Sequence, residues 1–170
     1  LSLHDALPIY ALDAVSAVAD DVVVVGPWAP PGWAHHDEPA PRQGPAAALA
    51  FGMGLVSAEL VLVVGGDHPI VVPALLELLV SRAATGSADA VVAVRAGRDE
   101  PLVACYRRSI GGVAARLVAS GRRSMRAVLD EVEVDRVPGS VWSTADPEGR
   151  SFMDVDTPED LARVRALLDG

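Results

Sequence analysis

Leu60-Val61-Leu62-Val63-Val64-Gly65-Gly66-Asp67-His68-Pro69 is the stretch of the chain that decides the fold. Its first five residues are apolar, three of them are β-branched, and together they predict a strand buried on both faces of a parallel sheet. The two glycines allow a sharp turn, and Pro69 prevents the strand from continuing. Since open α/β sheets bind ligands at the carboxyl ends of their strands, Asp67 is delivered to a candidate ligand-binding edge. Taken alone, such an aspartate is more often a turn or capping residue.

Composition favours a layered α/β protein with an aliphatic core. The 170 residues suffice for one domain, 51% of them are hydrophobic, and only 4% are aromatic. The net charge of −9 argues against a nucleic-acid partner, because phosphate binding requires a basic face. All 14 basic residues are arginine, so the chain contains no lysine.

Cysteine content and hydropathy indicate the cellular compartment in which the protein is expected. A single cysteine, Cys105, excludes an internal disulfide and a cysteine-based zinc site, which favours a reducing compartment. No apolar run approaches the roughly 20 residues of a membrane span, and no basic segment leads into an apolar signal core. We therefore expect a cytoplasmic protein that has no membrane partner.

Helical and strand patterns alternate along the chain and predict a three-layer α/β/α fold with a mostly parallel, Rossmann-like sheet. The predicted helices are 10–20, 45–57, 73–82, 110–119, a short helix capped by Ser124, and 158–168. The predicted strands are 22–25, 60–64, 90–94, 102–106 and 132–137, of which 102–106 is expected to approach the sheet from an edge. Residues 1–9 fit neither pattern.

The proline-rich loop at 27–45 is interpreted as a ligand-facing loop rather than a linker between domains. Its His35-His36-Asp37-Glu38 run looks like a metal-binding cluster, but it has no partner ligands at a supporting spacing, so a solvated polar loop is favoured. The loop ends at Gly44-Pro45, which opens a helix whose first N–H groups could attract an anion.

Acidic residues recur before the C-terminal helix. Asp154 and Asp156 alternate in an extended segment, so they point to the same side, while Thr157 and Asp160 form a capping-box pattern. The two aspartates are either solvated loop acids or part of the same crevice as Asp67 and Gly44. Few carboxylates beside substrate phosphates suit Mg²⁺, so the residues alone support an acidic, phosphate-handling α/β enzyme.

Five motifs together resemble the MobA-like nucleotidyltransferases in order and spacing. They are QGPAAALA at 43–50, GDHP at 66–69, RDEPLVA at 98–104, GRRSMRAVL at 121–129 and DVDTPEDL at 154–161. The resemblance covers residues 10–168 and implies the nucleotide-diphospho-sugar transferase type of fold. It implies a Mg²⁺-dependent nucleotidyltransferase that transfers GMP from GTP to the phosphate of molybdenum-bound molybdopterin and releases pyrophosphate.

The resemblance also implies roles for individual residues. Asp67 would be the catalytic, metal-holding residue and a nucleotide contact, and Asp156 would be a second metal ligand. Further nucleotide contacts would be Asp37, Gly44 and Pro45. The molybdopterin-type acceptor would be bound by residues drawn from the later motifs, namely Asp154, Arg98, Arg122 and Arg126, with Arg123 a further candidate.

The start of the chain departs from the family pattern. The family opens with a strand and a glycine-rich loop of the form L-A-G-G-x-S-x-R-M-G, followed by a lysine that contacts the triphosphate, and residues 1–9 match neither feature. We therefore expect an unmatched segment at 1–9 and a single nucleotidyltransferase-like domain at 10–170 that lacks its first strand and phosphate loop. Transferase activity of this chain is expected to be impaired.

Two other functions remain open from the sequence. The chain could be a cytidylyl- or guanylyltransferase for another phosphorylated acceptor, because base choice would be read in the missing loop and in the segment 27–38. It could also be a non-catalytic module that binds a nucleotide or a protein partner. The sequence does not decide the oligomeric state.

Overall fold

The computed structural model describes residues 3–40 and 42–168, in which helices and strands alternate. The helices are α1 Leu3–Ser16, α2 Pro45–Leu55, α3 Pro73–Thr85, α4 Ile110–Ala119, α5 Met125–Leu129, α6 Gly139–Trp142 and α7 Pro158–Leu168. The strands are β1 Val24–Val25, β2 His35–His36, β3 Leu60–Val64, β4 Ala90–Arg95, β5 Arg98–Arg107 and β6 Val134–Val137. A 3₁₀ turn covers Arg150–Phe152.

The main sheet has four strands in the order β3-β5-β4-β6. Strand β5 is antiparallel to both of its neighbours, and β6 is parallel to β4, so β3, β4 and β6 all run in one direction. Strands β1 and β2 form a separate parallel pair. The predicted α/β class is confirmed, with a mixed sheet in which β5 is reversed.

Strand β5 lies inside the sheet, which corrects the expectation that 102–106 approaches from an edge. Ala96 and Gly97 both have positive φ angles, 49° and 77°, and this tight turn folds β5 back along β4. Because β5 is ten residues long, its far half also pairs with β3, where Val103 lies opposite Val64. Ala-Gly is a weak turn signal, and the hairpin was therefore not recognised in the sequence.

Two apolar cores cover the two faces of the main sheet, as a three-layer fold requires. Helices α2, α4 and α5 pack on the face that includes Val92 and Tyr106. Helices α1 and α3 pack on the opposite face, which includes Val91 and Cys105. Successive strand residues thus enter different cores, as the pleat dictates.

Strand β3 is less buried than its sequence predicts. All five residues of Leu60–Val64 are half-buried, whereas Ala90–Ala93 of β4 are at most 1% exposed. The physical reason is the number of neighbours: β4 lies between β5 and β6, while β3 pairs with β5 alone in the described part of the chain. The expectation of a strand buried on both faces was wrong for β3.

The first helix begins earlier than expected. Helix α1 starts at Leu3, continues through Pro8 and ends at Ser16. The interpretation of residues 1–9 as neither helix nor strand was therefore wrong from Leu3 onward. Leu1 and Ser2 lie outside the described residues. Within the described ranges, no helix combines the length and the apolar character needed to cross a membrane.

Candidate functional site

Asp67 lies in a tight loop at the carboxyl end of β3. The Gly65 N–H donates to Leu102 O at 2.8 Å, which completes the pairing with β5, and the His68 N–H donates back to Gly65 O at 3.1 Å. The Asp67 side chain is 48% exposed. The loop therefore presents a carboxylate to solvent at the edge of the sheet where ligands bind in this architecture.

The two glycines of this loop differ in what surrounds them. A Cβ atom placed on Gly65 would lie 2.5 Å from Asp67 Oδ1 and 2.7 Å from His68 Cδ2, closer than real Cβ contacts allow. A Cβ atom on Gly66 would meet nothing within 4 Å. The side chains of Asp67 and His68 thus fold back over Gly65, and only a glycine at 65 leaves them room.

His68 is a site residue that the sequence did not single out. It is 7% exposed, and its Nε2 atom lies 3.7 Å from Asp67 Oδ1. Its buried Nδ1 atom has no hydrogen-bond partner among the described residues. A buried imidazole with a free ring nitrogen beside an exposed carboxylate is a polar group that a ligand or water can satisfy. The only sequence signal was its position between Asp67 and Pro69.

The segment that carries Asp154 and Asp156 lies alongside the Asp67 loop. The Val155 N–H donates to the Asp67 carbonyl oxygen at 3.1 Å. Val155 is 6% exposed and packs in a small core with Val164 of α7, against which Ile70 also lies. The aspartates on either side of it are exposed. The predicted alternation is present: both aspartates are exposed, and the Val155 between them is bonded to the backbone of Asp67.

A buried polar clamp holds the start of this C-terminal segment. Asp146 is 2% exposed, and its carboxylate accepts hydrogen bonds from the N–H groups of Arg150 and Ser151 at 3.0 and 2.8 Å. The Ser151 hydroxyl in turn accepts from the Val72 N–H at 2.9 Å, just beyond the Asp67 loop. The clamp therefore links the segment leading to Asp154 to the chain that follows Asp67.

Aromatic packing and two hydrogen bonds also attach the C-terminal segment to the end of β4. The Phe152 and Trp142 rings meet edge to face with centroids 5.0 Å apart. The Trp142 indole donates to Val94 O at 2.9 Å, and Arg95 donates to Phe152 O at 3.2 Å. Both contacts fix the C-terminal segment at the carboxyl end of β4, which is the same edge of the sheet as the end of β3.

The Gly44-Pro45 motif opens α2, as predicted, but the helix start is already partnered. Gly44 has a φ of 90°, and a Cβ there would lie 3.0 Å from Arg123 O. The Ala46 N–H donates to that same carbonyl at 3.3 Å, and the Ala47 N–H donates to Gly44 O at 3.0 Å. These N–H groups are thus used inside the protein, which reduces what α2 can offer an anion.

The predicted acceptor-binding arginines are exposed. Arg122 makes an ion pair with Glu131 at 2.7 Å, Arg126 is exposed on α5, and Arg98 is exposed at the start of β5. The contact between Gly44 and Arg123 brings the 122–126 segment next to the start of α2. Asp37 follows β2 and is exposed.

One cavity of about 760 Å³ reaches the candidate site. Pro45, Gly66 and Asp67 all lie on its wall, so the predicted nucleotide contacts at 45 and 67 share one space. The remaining candidates do not line it, namely Asp37, Gly44, Arg98, Arg122, Arg126, Asp154 and Asp156. The cavity thus joins Pro45 to Asp67, while the 154–156 segment adjoins Asp67 only through the Val155 hydrogen bond.

The acidic side chains fit a divalent cation only with help from a substrate. Across residues 3–40 and 42–168, no three Asp, Glu, His or Cys side chains gather closely enough to form a metal site. Mg²⁺, however, is commonly held by one or two carboxylates together with substrate phosphates and water. Asp67 and the neighbouring 154–156 carboxylates suit that arrangement.

Titratable groups in the core are not candidates for catalysis. Burial raises the pKa of the Cys105 thiol to about 11, so it stays protonated at neutral pH and is a poor nucleophile. Burial also raises the pKa of Tyr106, whose hydroxyl donates to Pro101 O at 2.8 Å. Both residues serve the packing of β5.

Known proteins resemble this chain in sequence. Over 132 residues it is 32% identical to a probable molybdenum cofactor guanylyltransferase of Chloroflexus aggregans, a match that covers 75% of this chain and 62% of that protein. It is 36% identical over 136 residues to a protein of the same name from Natronomonas pharaonis, with the same coverage of each chain. The match therefore spans under two thirds of these relatives.

Solved structures share the fold. The molybdopterin-guanine dinucleotide biosynthesis protein A of Archaeoglobus fulgidus superposes with a TM-score of 0.77 at 22% identity, covering 93% of this chain and 85% of that one. The 2-C-methyl-D-erythritol 4-phosphate cytidylyltransferase of Thermus thermophilus gives 0.68 at 21% identity, with coverage of 96% and 89%. The fold is thus that of the nucleotide-diphospho-sugar transferase type.

A family model supplies the remaining comparison. The model described as the MobA-like NTP transferase domain matches residues 5–137, which include the Asp67 loop and the start of α2. With the sequence relatives and the shared fold, this match identifies the chain as a member of the MobA-like nucleotidyltransferase family.

Proposed function

We propose that this chain transfers GMP from GTP to the terminal phosphate of a molybdopterin-type acceptor and releases pyrophosphate. The observation that carries the proposal is the hydrogen bond from Val155 N–H to Asp67 O, which holds the 154–156 segment against the Asp67 loop at the carboxyl edge of the sheet. The relatives named as guanylyltransferases support GTP as the donor and molybdopterin as the acceptor.

In this proposal Asp67 and Asp156 would hold Mg²⁺, which would supply positive charge to neutralise the triphosphate. The absence of a side chain at Gly65 leaves room for the Asp67 carboxylate, whose Oδ1 atom lies 3.7 Å from His68 Nε2. The acceptor phosphate is already anionic, so the site needs little general-base chemistry.

Arginines and Asp154 complete the proposed acceptor side. Arg98, Arg122 and Arg126 are exposed cations available to an anionic acceptor. The Arg122–Glu131 ion pair lies at the surface, where such pairs are worth roughly 0–1 kcal/mol, so a phosphate can displace Glu131 at little cost. Asp37, Gly44 and Pro45 remain proposed nucleotide contacts.

Residues 1–170 alone are expected to turn over slowly. They contain no lysine and no glycine-rich loop of the family form, and backbone N–H groups of that loop would cradle the triphosphate. Binding is therefore the sharper first test. We expect Mg²⁺-dependent binding of GTP, weaker binding of CTP, and low pyrophosphate release with GTP and a molybdopterin acceptor.

The test variants are Gly65→Ala and its matched control Gly112→Ala. The Gly65 variant displaces the Asp67 carboxylate, so calorimetric titration should show GTP affinity reduced about tenfold, equivalent to about 1.4 kcal/mol. The control adds the same methyl group to open space on α4, at a residue that does not line the cavity, and should bind as the unmodified chain does. Equal affinity in both variants would remove Asp67 from the nucleotide site.

A second candidate is a cytidylyltransferase for another phosphorylated acceptor. It is favoured by the fold shared with the Thermus cytidylyltransferase. A preference for CTP over GTP in the same titration would select it. The absence of any nucleotide binding with Mg²⁺ would instead favour a non-catalytic partner-binding module.

A further inference from the structure

His68 places a ring nitrogen beside the Asp67 carboxylate, but the two groups do not bond directly. The His68 Nε2 atom lies 3.7 Å from Asp67 Oδ1, which is beyond the reach of a hydrogen bond. The other ring nitrogen, Nδ1, is buried and has no hydrogen-bond partner in the described part of the chain. Nε2 is therefore the ring nitrogen that shares a space with a carboxylate whose side chain is 48% exposed.

Packing around Gly65 fixes both side chains. A Cβ atom on Gly65 would lie 2.5 Å from Asp67 Oδ1, 2.7 Å from His68 Cδ2 and 3.3 Å from His68 Nε2. The His68 side chain is only 9% exposed, and its backbone N–H closes the same turn on Gly65 O at 3.1 Å. Because both side chains are ordered before any ligand arrives, a cation that binds them loses little affinity to further ordering.

The gap between the two atoms has the size that one metal ion fills. Zn²⁺ binds imidazole nitrogen and carboxylate oxygen at about 2.0–2.2 Å, so a tetrahedral ion holds two such atoms about 3.4 Å apart. Octahedral Mg²⁺ takes oxygen ligands and holds neighbouring ones about 2.9 Å apart. The 3.7 Å between Nε2 and Oδ1 is thus closer to the tetrahedral spacing, and the nitrogen suits a transition metal better than Mg²⁺.

We propose that Asp67 Oδ1 and His68 Nε2 together bind a divalent transition-metal ion of the Zn²⁺ and Co²⁺ class. Across residues 3–40 and 42–168, no group of three acidic, histidine or cysteine side chains is placed to hold a metal. Water or a phosphate oxygen therefore completes the coordination, as in metal sites that keep an open position. The inference rests on the proposed function in one respect, that Asp67 is a cation ligand. It adds that a transition metal uses His68 as well, whereas Mg²⁺ does not.

The test titrates the full chain with Co²⁺ and, separately, with Mg²⁺, both without nucleotide, in a calorimeter. His68→Phe keeps a ring of similar shape in the buried position and removes both ring nitrogens. Because even outer-shell partners of a metal are worth about tenfold in affinity, the ratio of Co²⁺ to Mg²⁺ affinity should fall at least about tenfold in this variant. Bound Co²⁺ should also show the intense visible absorption of tetrahedral coordination in the unmodified chain and not in the variant.

The matched control is His36→Phe. His35 and His36 are exposed neighbours on β2, so their imidazoles offer Co²⁺ a second place to bind. The control removes one of these imidazoles and should leave both the Co²⁺ to Mg²⁺ ratio and the visible absorption unchanged. A loss of Co²⁺ binding in the control equal to that in His68→Phe would overturn the inference.

A measurement on the unmodified chain decides if His68→Phe does not fold. On addition of Zn²⁺, the ¹⁵N resonance of His68 Nε2 should move, and an unmoved resonance would overturn the inference. Equal losses of Co²⁺ and Mg²⁺ affinity in His68→Phe would overturn it too, because His68 would then act only by shaping the Asp67 loop. If Co²⁺ binds through His68 but GTP does not bind with Mg²⁺, the inference stands and the proposed function fails.

Discussion

Strands β3 and β4 have similar apolar sequences and very different surroundings. Val91 and Val92 of β4 are at most 1% exposed, because β5 and β6 flank the strand and helices cover both faces. The residues of β3 are all half-buried and line the cavity that reaches Asp67. The difference teaches that the neighbours of a strand in the sheet set how far it is buried. An apolar composition shows only that the strand can be buried.

The largest loss of stability is expected when an aspartate is introduced into β4, and an aspartate in β3 provides the comparison. Val92→Asp buries an unpaired carboxylate between two neighbouring strands and should lower the free energy of unfolding by roughly 4 kcal/mol or more. Val63→Asp, on the same face but beside that cavity, should cost roughly 1–2 kcal/mol because water reaches it. Urea denaturation measures both, and equal losses would break the comparison.

The next largest loss of stability is expected at Asp146, whose carboxylate forms the polar clamp of the C-terminal segment. Asp146→Asn replaces an acceptor oxygen with a donor and leaves a buried N–H of Arg150 or Ser151 unpaired, which should cost roughly 2–3 kcal/mol. The control Glu148→Gln breaks only an exposed ion pair with Arg150 and should cost less than about 1 kcal/mol. Chemical denaturation compares the two, and a silent Asp146 variant would show that the segment is held by aromatic packing alone.

The pairing of β3 with β5 can be monitored at Cys105, which lies opposite Leu62. Burial raises the pKa of this thiol to about 11, above the value of an unfolded thiol. Its contribution to stability is therefore complete below about pH 8.5 and is lost as the pH rises towards 11.

We expect the unmodified chain to lose about 2 kcal/mol more than Cys105→Ala between those pH values, measured by urea denaturation. At pH 8 the native thiol should react with a disulfide reagent far more slowly than the unfolded chain does. Rapid labelling in the native state would mean that β3 separates readily from β5.

The smallest effect is expected at the start of α7, which is held by an exposed capping box. Thr157 Oγ1 accepts from the Asp160 N–H at 3.2 Å, and Asp160 accepts from the Thr157 N–H at 3.1 Å. Thr157→Ala should lower the free energy of unfolding by on the order of 1 kcal/mol or less. Glu159→Gln lies in the same turn without a capping bond and should be neutral in the same denaturation measurement.

These bonds also lower the pKa of Asp160, so the stability they add is present at neutral pH and is lost as the pH falls through that pKa. If Thr157→Ala lost more free energy of unfolding on acidification than the unmodified chain does, this assignment would be contradicted.

Much of the fold and part of the site could be predicted from the sequence. The α4 boundaries, the Ser124 cap and the Thr157 capping box rest on local chemistry, and the structure confirms them. The reversal of β5 and the exposure of β3 depend on contacts distant in sequence, which no local pattern contains. His68 was missed for the same reason, since its burial depends on the fold around the Asp67 loop.

The roles of Asp67, Asp156, Asp37 and the arginines stay predictions. Sequence motifs suggested that these residues belong to one site, but motif order says nothing of distance. The structure adds that the 154–156 segment lies against Asp67 through Val155, and that Arg98 and Asp37 are exposed elsewhere. Variants of Asp67 and Asp156 are therefore the most informative, and those of Asp37 the least.

The Val155–Asp67 hydrogen bond has a consequence for how the protein is made. During synthesis the Asp67 loop leaves the ribosome before residue 155, so it emerges without this hydrogen-bond partner. Nascent chains stalled ahead of residue 155 should contain the Asp67 loop but not this bond, which can form only once the 154–156 segment has emerged.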